Sequence, residues 1–154
     1  MGNSIAHAGR RHAGNWLPVV AWAALIFVFS TGAFSGSNTS SFLVPLLNHF
    51  FPALPGDDIA RIHALIRKLG HVSEYLILAL LVLRALSRET GGRLSPRRLA
   101  LGLLITALYA VSDELHQAFV PGRTASIVDV WIDVLGGACG ALWFQLRKHG
   151  KKAP

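Results

Sequence analysis

The sequence predicts an all-α integral membrane bundle of four transmembrane helices with one interfacial amphipathic helix. Three observations carry this reading. Four apolar runs approach membrane-crossing length, only 15% of residues are charged against 52% hydrophobic, and the basic residues gather in the gaps between the runs. A soluble domain of this size is usually about 25% charged, and the mean hydropathy here is +0.44. The net charge of +7 and pI near 10.5 do not indicate a nucleic-acid partner, because Lys and Arg flank apolar runs in the manner of membrane-protein loops. A single cysteine, Cys139, rules out an internal disulfide framework. It reads as a free thiol packed among apolar neighbours.

The first run, Trp16 to Phe34, is uncharged and long enough to cross a hydrocarbon core of about 30 Å as a helix. Arg10 and Arg11 before it resemble the start of a signal peptide. The run is longer than a signal's apolar core and lacks a small-x-small cleavage site, so it is expected to stay as a span. The second, Val72 to Leu86, spans only if His71 and Glu74 enter the membrane. The third, Leu99 to Phe119, is uncharged until Asp113, and the fourth, Ile127 to Leu146, carries Asp129 and Asp133 near its start. These three helices are therefore polar at one end.

Between the first two runs, the Ser- and Asn-rich stretch from residue 35 to Phe51, with Pro45 and Pro52, reads as a loop lying against the interface. From Asp57 and Asp58, read as N-caps, Ile59, Ile62, Leu65, Ile66 and Leu69 recur at helical spacing opposite Arg61, Arg67 and Lys68. That pattern predicts the amphipathic interfacial helix. The chain thus divides into an N-terminal tail (1–15), a four-span domain (16–146) and a basic tail (147–154). The basic clusters at Arg10 and Arg11, at Arg84 to Arg98, and at Arg147 to Lys152 fall on one side of four spans. Both termini are accordingly expected in the cytoplasm.

With that topology the polar residues of three helices meet near the outer leaflet. Using 1.5 Å rise per residue, His71, His116 and Asp129 form an outer layer, and Glu74, Asp113 and Asp133 a deeper one. Helical spacing puts Lys68, His71, Glu74 and Tyr75 on one face, and Tyr109, Asp113, His116 and Gln117 on another. Glu114 projects to a different side from Asp113 and is expected to reach the headgroups. A carboxylate well inside a bilayer costs roughly 2.5 to 3.5 kcal/mol on insertion scales, so intramembrane acids are functional candidates by default. The competing account is structural pairing, with Arg123 or Lys68 neutralising the acids. Gly136 and Gly140 give the small-xxx-small spacing of close helix packing.

The run Lys68-Leu-Gly-His-Val-Ser-Glu-Tyr75, then Tyr109-Ala-Val-Ser-Asp-Glu-Leu-His-Gln117, Phe119-Val-Pro-Gly-Arg123, Asp129, Gly136 and Gly140, with Phe29-Ser30, strongly resembles the VanZ-like membrane proteins. The resemblance extends over roughly residues 16 to 146. It implies a small multi-helix protein of the bacterial plasma (inner) membrane, whose family's named member is associated with resistance to the glycopeptide teicoplanin.

Three functional classes follow. The first is a cell-envelope protein whose outer site binds a lipid-linked envelope precursor, a lipophilic glycopeptide or another amphiphile, with Arg123 and Lys68 contacting its phosphate or carboxylate groups. The second is a membrane-embedded enzyme acting on an envelope lipid. It could use a divalent metal held by His71, Glu74, Asp113 and His116, or a histidine serving as general base. The third, a transporter, is disfavoured because no helix is broken. Membrane lipids are partners under every reading.

Overall fold

The computed structural model describes residues 2–92 and 94–150, with side chains from 12 to 148 apart from 93. Arg93, Lys151 and Lys152 lie outside the described residues, as do the side chains of Arg10 and Arg11. Five α-helices follow in order: α1 (Gly2–Phe29), α2 (Gly36–Phe50), α3 (Gly56–Arg88), α4 (Pro96–Ala118) and α5 (Ile127–Gly150), with a 3-10 turn at Gly32–Phe34. No strand occurs among the described residues. Four of the helices, α1, α3, α4 and α5, contain stretches long and apolar enough to cross a membrane. Their outward faces carry Leu104, Leu108, Leu115, Trp131, Leu135 and Leu142, each more than half exposed. Apolar surface on that scale belongs against lipid rather than water. The chain is a multi-pass membrane protein.

α3 is the hub, packing on α1, α2, α4 and α5. Its inward residues Tyr75, Leu78, Ala79, Val82 and Leu83 are almost fully buried. The tightest approach is to α5. A Cβ on Gly136 would fall 2.5 Å from the Val72 carbonyl oxygen, and one on Gly140 2.5 Å from that of Leu76. Only glycine lets the two backbones come so close, as the small-residue spacing anticipated. These contacts also set α3 and α5 parallel, with α5 positions about 64 residues ahead of their α3 neighbours.

The first expected span is displaced. α1 starts at Gly2, inside the segment read as a tail, and stops at Phe29 rather than Phe34. Ser30 folds back, donating to the Ile26 carbonyl and to Asp113 of α4. Midway along the helix, Trp16 Nε1 donates to Glu89 at 2.6 Å and His12 Nδ1 stands 3.1 Å from the same oxygen. These contacts hold the Glu89 carboxyl below its ordinary range, the Trp16 bond contributing most. They fix the middle of α1 beside the end of α3.

Two further expectations are corrected. The segment read as an interface loop is helical: Ser35 caps α2, accepting from Asn38 N at 3.3 Å. Inside α2, Thr39, Ser40 and Ser41 turn their hydroxyls back onto carbonyls three or four residues earlier. Residues that favour loops in water thereby satisfy themselves within a helix. Phe42, Leu46 and Phe50 recur every fourth residue and are all exposed, so α2 carries its own apolar stripe. The amphipathic stretch from residue 57, in turn, is not a separate helix but the first part of α3. Asp57 and Asp58 lie in its first turn, with Pro55 at the N-cap. At 33 residues, α3 is about 50 Å long, well beyond a hydrocarbon core of about 30 Å. Cys139, expected to be packed, is exposed on the outer face of α5.

Candidate functional site

The polar ends of α3, α4 and α5 converge at the end of the bundle opposite the Glu89 contacts, under the α1–α2 turn. The buried face of α4 runs through Gly102, Thr106, Ala110, Asp113, Glu114 and Gln117. This stripe includes both neighbouring acids, and they do different things. Asp113 is 5% exposed and ties α4 to α1 and to itself, accepting from Ser30 Oγ and from Gln117 Nε2 at 3.0 Å. Glu114, expected to reach the headgroups, is instead 4% exposed and accepts from the Ser126 backbone N–H at 2.8 Å. That bond closes the 119–126 turn over the end of α4.

On α5, Asp133 is fully buried, with Oδ1 3.2 Å from Nδ1 of His71 on α3. His71, Glu114 and Asp133 bring one donor atom each to within 4.8 Å of one another. The second oxygens, Glu114 Oε1 and Asp133 Oδ2, are buried without a hydrogen-bond partner. The register of the α3–α5 packing explains why this grouping differs from the expected layers. Val72 lies against Gly136, which raises Asp133 to the level of His71 rather than of Glu74. Asp129 sits one turn further out, in the first turn of α5.

Above this cluster opens a cleft of about 230 Å³, walled by Phe29 and Phe34 on one side and by Gly70, His71, Glu74 and Gln117 on the other. Ser30, Arg67 and Arg123 complete its lining. Arg123 is anchored by donating to the carbonyls of Phe29 and Thr31. Its guanidinium is pushed below its ordinary range by burial and, next, by the neighbouring positive charge of Arg67. Among the described residues neither guanidinium forms an ion pair. The structural pairing weighed for Arg123 is therefore absent there. Two guanidiniums without an ion pair among the described residues thus share this small cleft with the Glu74 carboxylate.

The expected residues thus divide. His71, Glu74, Gln117 and Arg123 line the cleft, and Asp133 and Glu114 lie beneath it. Asp113 is a structural tie at its edge. Tyr75 is fully buried, its ring 6.4 Å from that of Tyr109, whose hydroxyl donates to the Ala23 carbonyl. Lys68 is exposed and does not line the cleft; the basic residue that does is Arg67, one position earlier. His116 stacks on Phe27 at 4.5 Å, on the α1 side of α4. Of the four metal ligands expected from sequence, only His71 belongs to the cluster the structure assembles. Sequence reasoning did not single out Arg67, Ser30 and Ser126 as site residues. Arg67 stands four residues before His71 and seven before Glu74, a spacing that marks it as sharing their face.

Fold and site define a small helical membrane protein with an acid and imidazole cluster under an arginine-rimmed cleft. The chain belongs to the VanZ/LLP1 family, whose model matches residues 15–148. Among curated proteins and solved structures, none matches the chain.

Proposed function

We propose that this VanZ/LLP1 family protein captures the anionic headgroup of an amphiphile in the cleft between Arg67 and Arg123, at the outer face of the plasma membrane. The observation that carries the reading is the pair of guanidiniums sharing one cleft with no ion pair among the described residues. Guanidinium groups match phosphate and carboxylate oxygens with paired N–H donors. The aromatic walls, Phe29 and Phe34, suit the first carbons of a chain below such a headgroup. A lipid-linked envelope precursor or a lipophilic glycopeptide carries this chemistry, and occupancy of either would change how an envelope-directed antibiotic meets its target. A link to teicoplanin resistance follows on this reading.

A second reading, an enzyme on the same ligand, is favoured by one feature: His71 reaches the cleft while its Nδ1 faces Asp133. That arrangement orients an imidazole as a general base.

The test is lipid binding to detergent-purified protein, read by native mass spectrometry with phosphate-monoester and phosphatidylcholine lipids in competition. The phosphate monoester should be retained preferentially, and Arg67→Ala should weaken it about tenfold or more, the scale of one charge-assisted hydrogen bond. Equal retention of the two lipids, or an unchanged Arg67→Ala protein, overturns the reading.

A further inference from the structure

His71, Glu114 and Asp133 come from three different helices and present one ligand atom each within 4.8 Å. Donors around a zinc ion at about 2.0 to 2.2 Å stand on the order of 3.5 Å apart. The donors thus stand little more than about 1 Å wider than that spacing at most. The two acids are almost completely buried, at 4% and 0% exposure. Each keeps one oxygen with no hydrogen-bond partner, Glu114 Oε1 and Asp133 Oδ2. Buried carboxylate oxygens left unpaired are costly, and in this cluster no lysine or arginine pairs with them.

The remaining oxygens are already held. Ser126 N–H donates to Glu114 Oε2, the kind of outer contact that fixes a ligating carboxylate in place. Glu74 and Asp129 stand within electrostatic reach of His71 and add to the demand for positive charge. The donor set of one imidazole and two carboxylates suits a borderline cation. Imidazole disfavours calcium and magnesium, and the lack of thiolate disfavours softer ions.

We propose that His71, Glu114 and Asp133 form a binding site for a divalent transition-metal cation, zinc or manganese, at the floor of the cleft. Three protein ligands leave a coordination position free, and His71, which also lines the cleft, joins the two sites. The site stands independently of the headgroup reading, since neither Arg67 nor Arg123 is among its donors.

The experiment uses the full chain in detergent, stripped with chelator and then loaded separately with Zn²⁺ and Mn²⁺. Elemental analysis reads stoichiometry, and electron paramagnetic resonance reads Mn²⁺ affinity. One ion per chain is expected. Glu114→Gln and Asp133→Asn should each weaken Mn²⁺ by more than about a hundredfold, because loss of a ligand exceeds the 10- to 100-fold effect of losing an outer partner. His116→Ala should leave affinity unchanged. His71→Cys keeps a ligand but softens it, so it should shift preference from Mn²⁺ toward Zn²⁺. This variant remains informative if either carboxamide variant fails to fold. Substoichiometric metal with both ions, unchanged affinity in both carboxamide variants, or an unchanged Zn²⁺ to Mn²⁺ preference in His71→Cys overturns the site. Arg67→Ala should retain the metal while losing the phosphate lipid, so failure of one reading is separable from failure of the other.

Discussion

Asp113 and Glu114 are adjacent, equally acidic and equally buried, yet the contacts around them assign different work. Both oxygens of Asp113 are engaged, one by Ser30 and the other by Gln117. Asp113→Ala leaves Ser30 its second acceptor, the Ile26 carbonyl, but strands the Gln117 amide in the interior. The expected loss is about 1 to 3 kcal/mol, visible as a lower unfolding temperature in detergent. Glu114→Gln keeps an oxygen for the Ser126 N–H and should unfold close to the parent temperature. Equal destabilisation by the two substitutions would contradict this division. The sequence made Asp113 legible, because an acid after a long apolar run stands out. Glu114 was misplaced because the face drawn through Tyr109, Asp113 and His116 is rotated from the buried one. Thr106 and Ala110, small residues at spacings of four from Glu114, mark the true inward stripe. Lys68 and Arg67 differ by the same single helical step. In both places the hydrophobic pattern fixes a helix but leaves its rotation uncertain by one residue, about 100°.

Rotation and register belong to the element scale, and the glycines of α5 decide them. Gly136 and Gly140 lie against the carbonyls of Val72 and Leu76, with no side chain between that could move aside. Gly140→Ala must therefore separate the helices or shift their register, at a cost of about 1 to 3 kcal/mol. Because Asp133 lies less than one turn before Gly136, a shift also draws Asp133 away from His71. Cross-linking of cysteines placed at 71 and 133, whose native side chains meet at 3.2 Å, should proceed readily in the parent background and slow when Gly140 is alanine. An undiminished rate would show that the close approach does not depend on this glycine. The small-residue spacing was legible in the sequence, but its partner helix was not, since a stripe of glycines carries no information about what lies against it. α2 failed for a different reason. Its Ser and Thr residues oppose a helix in water but not where they bond back to their own turn.

At the scale of the whole molecule, the helices sort charge to the two ends of the bundle. By position along the chain, seven of the eight acids precede α3's apolar part, end α4 or begin α5, all at the cleft end, and only Glu89 lies at the other. Of the basic residues among those described, Arg61, Arg67, Lys68 and Arg123 share the cleft end, and the other eight fall at the opposite one. The contacts from His12 and Trp16 to Glu89 place the middle of α1 at that basic end. Lys148, donating to Ser87 Oγ and the Gly92 carbonyl, does the same for the end of α5. Basic loops are retained in the cytoplasm while acids have little influence, so the basic end should face inward and the cleft outward. Alkaline phosphatase fused within 90–95 or after the last residue should be inactive, and fusions within 51–55 or 120–125 active. The four basic residues at the cleft end make this a demanding test, because a cleft on the cytoplasmic side would leave them among inward charges and the eight described at the other end outside. Activity from the 90–95 fusion would reverse the bundle, and an envelope ligand could then no longer reach Arg67 and Arg123 from outside the cell.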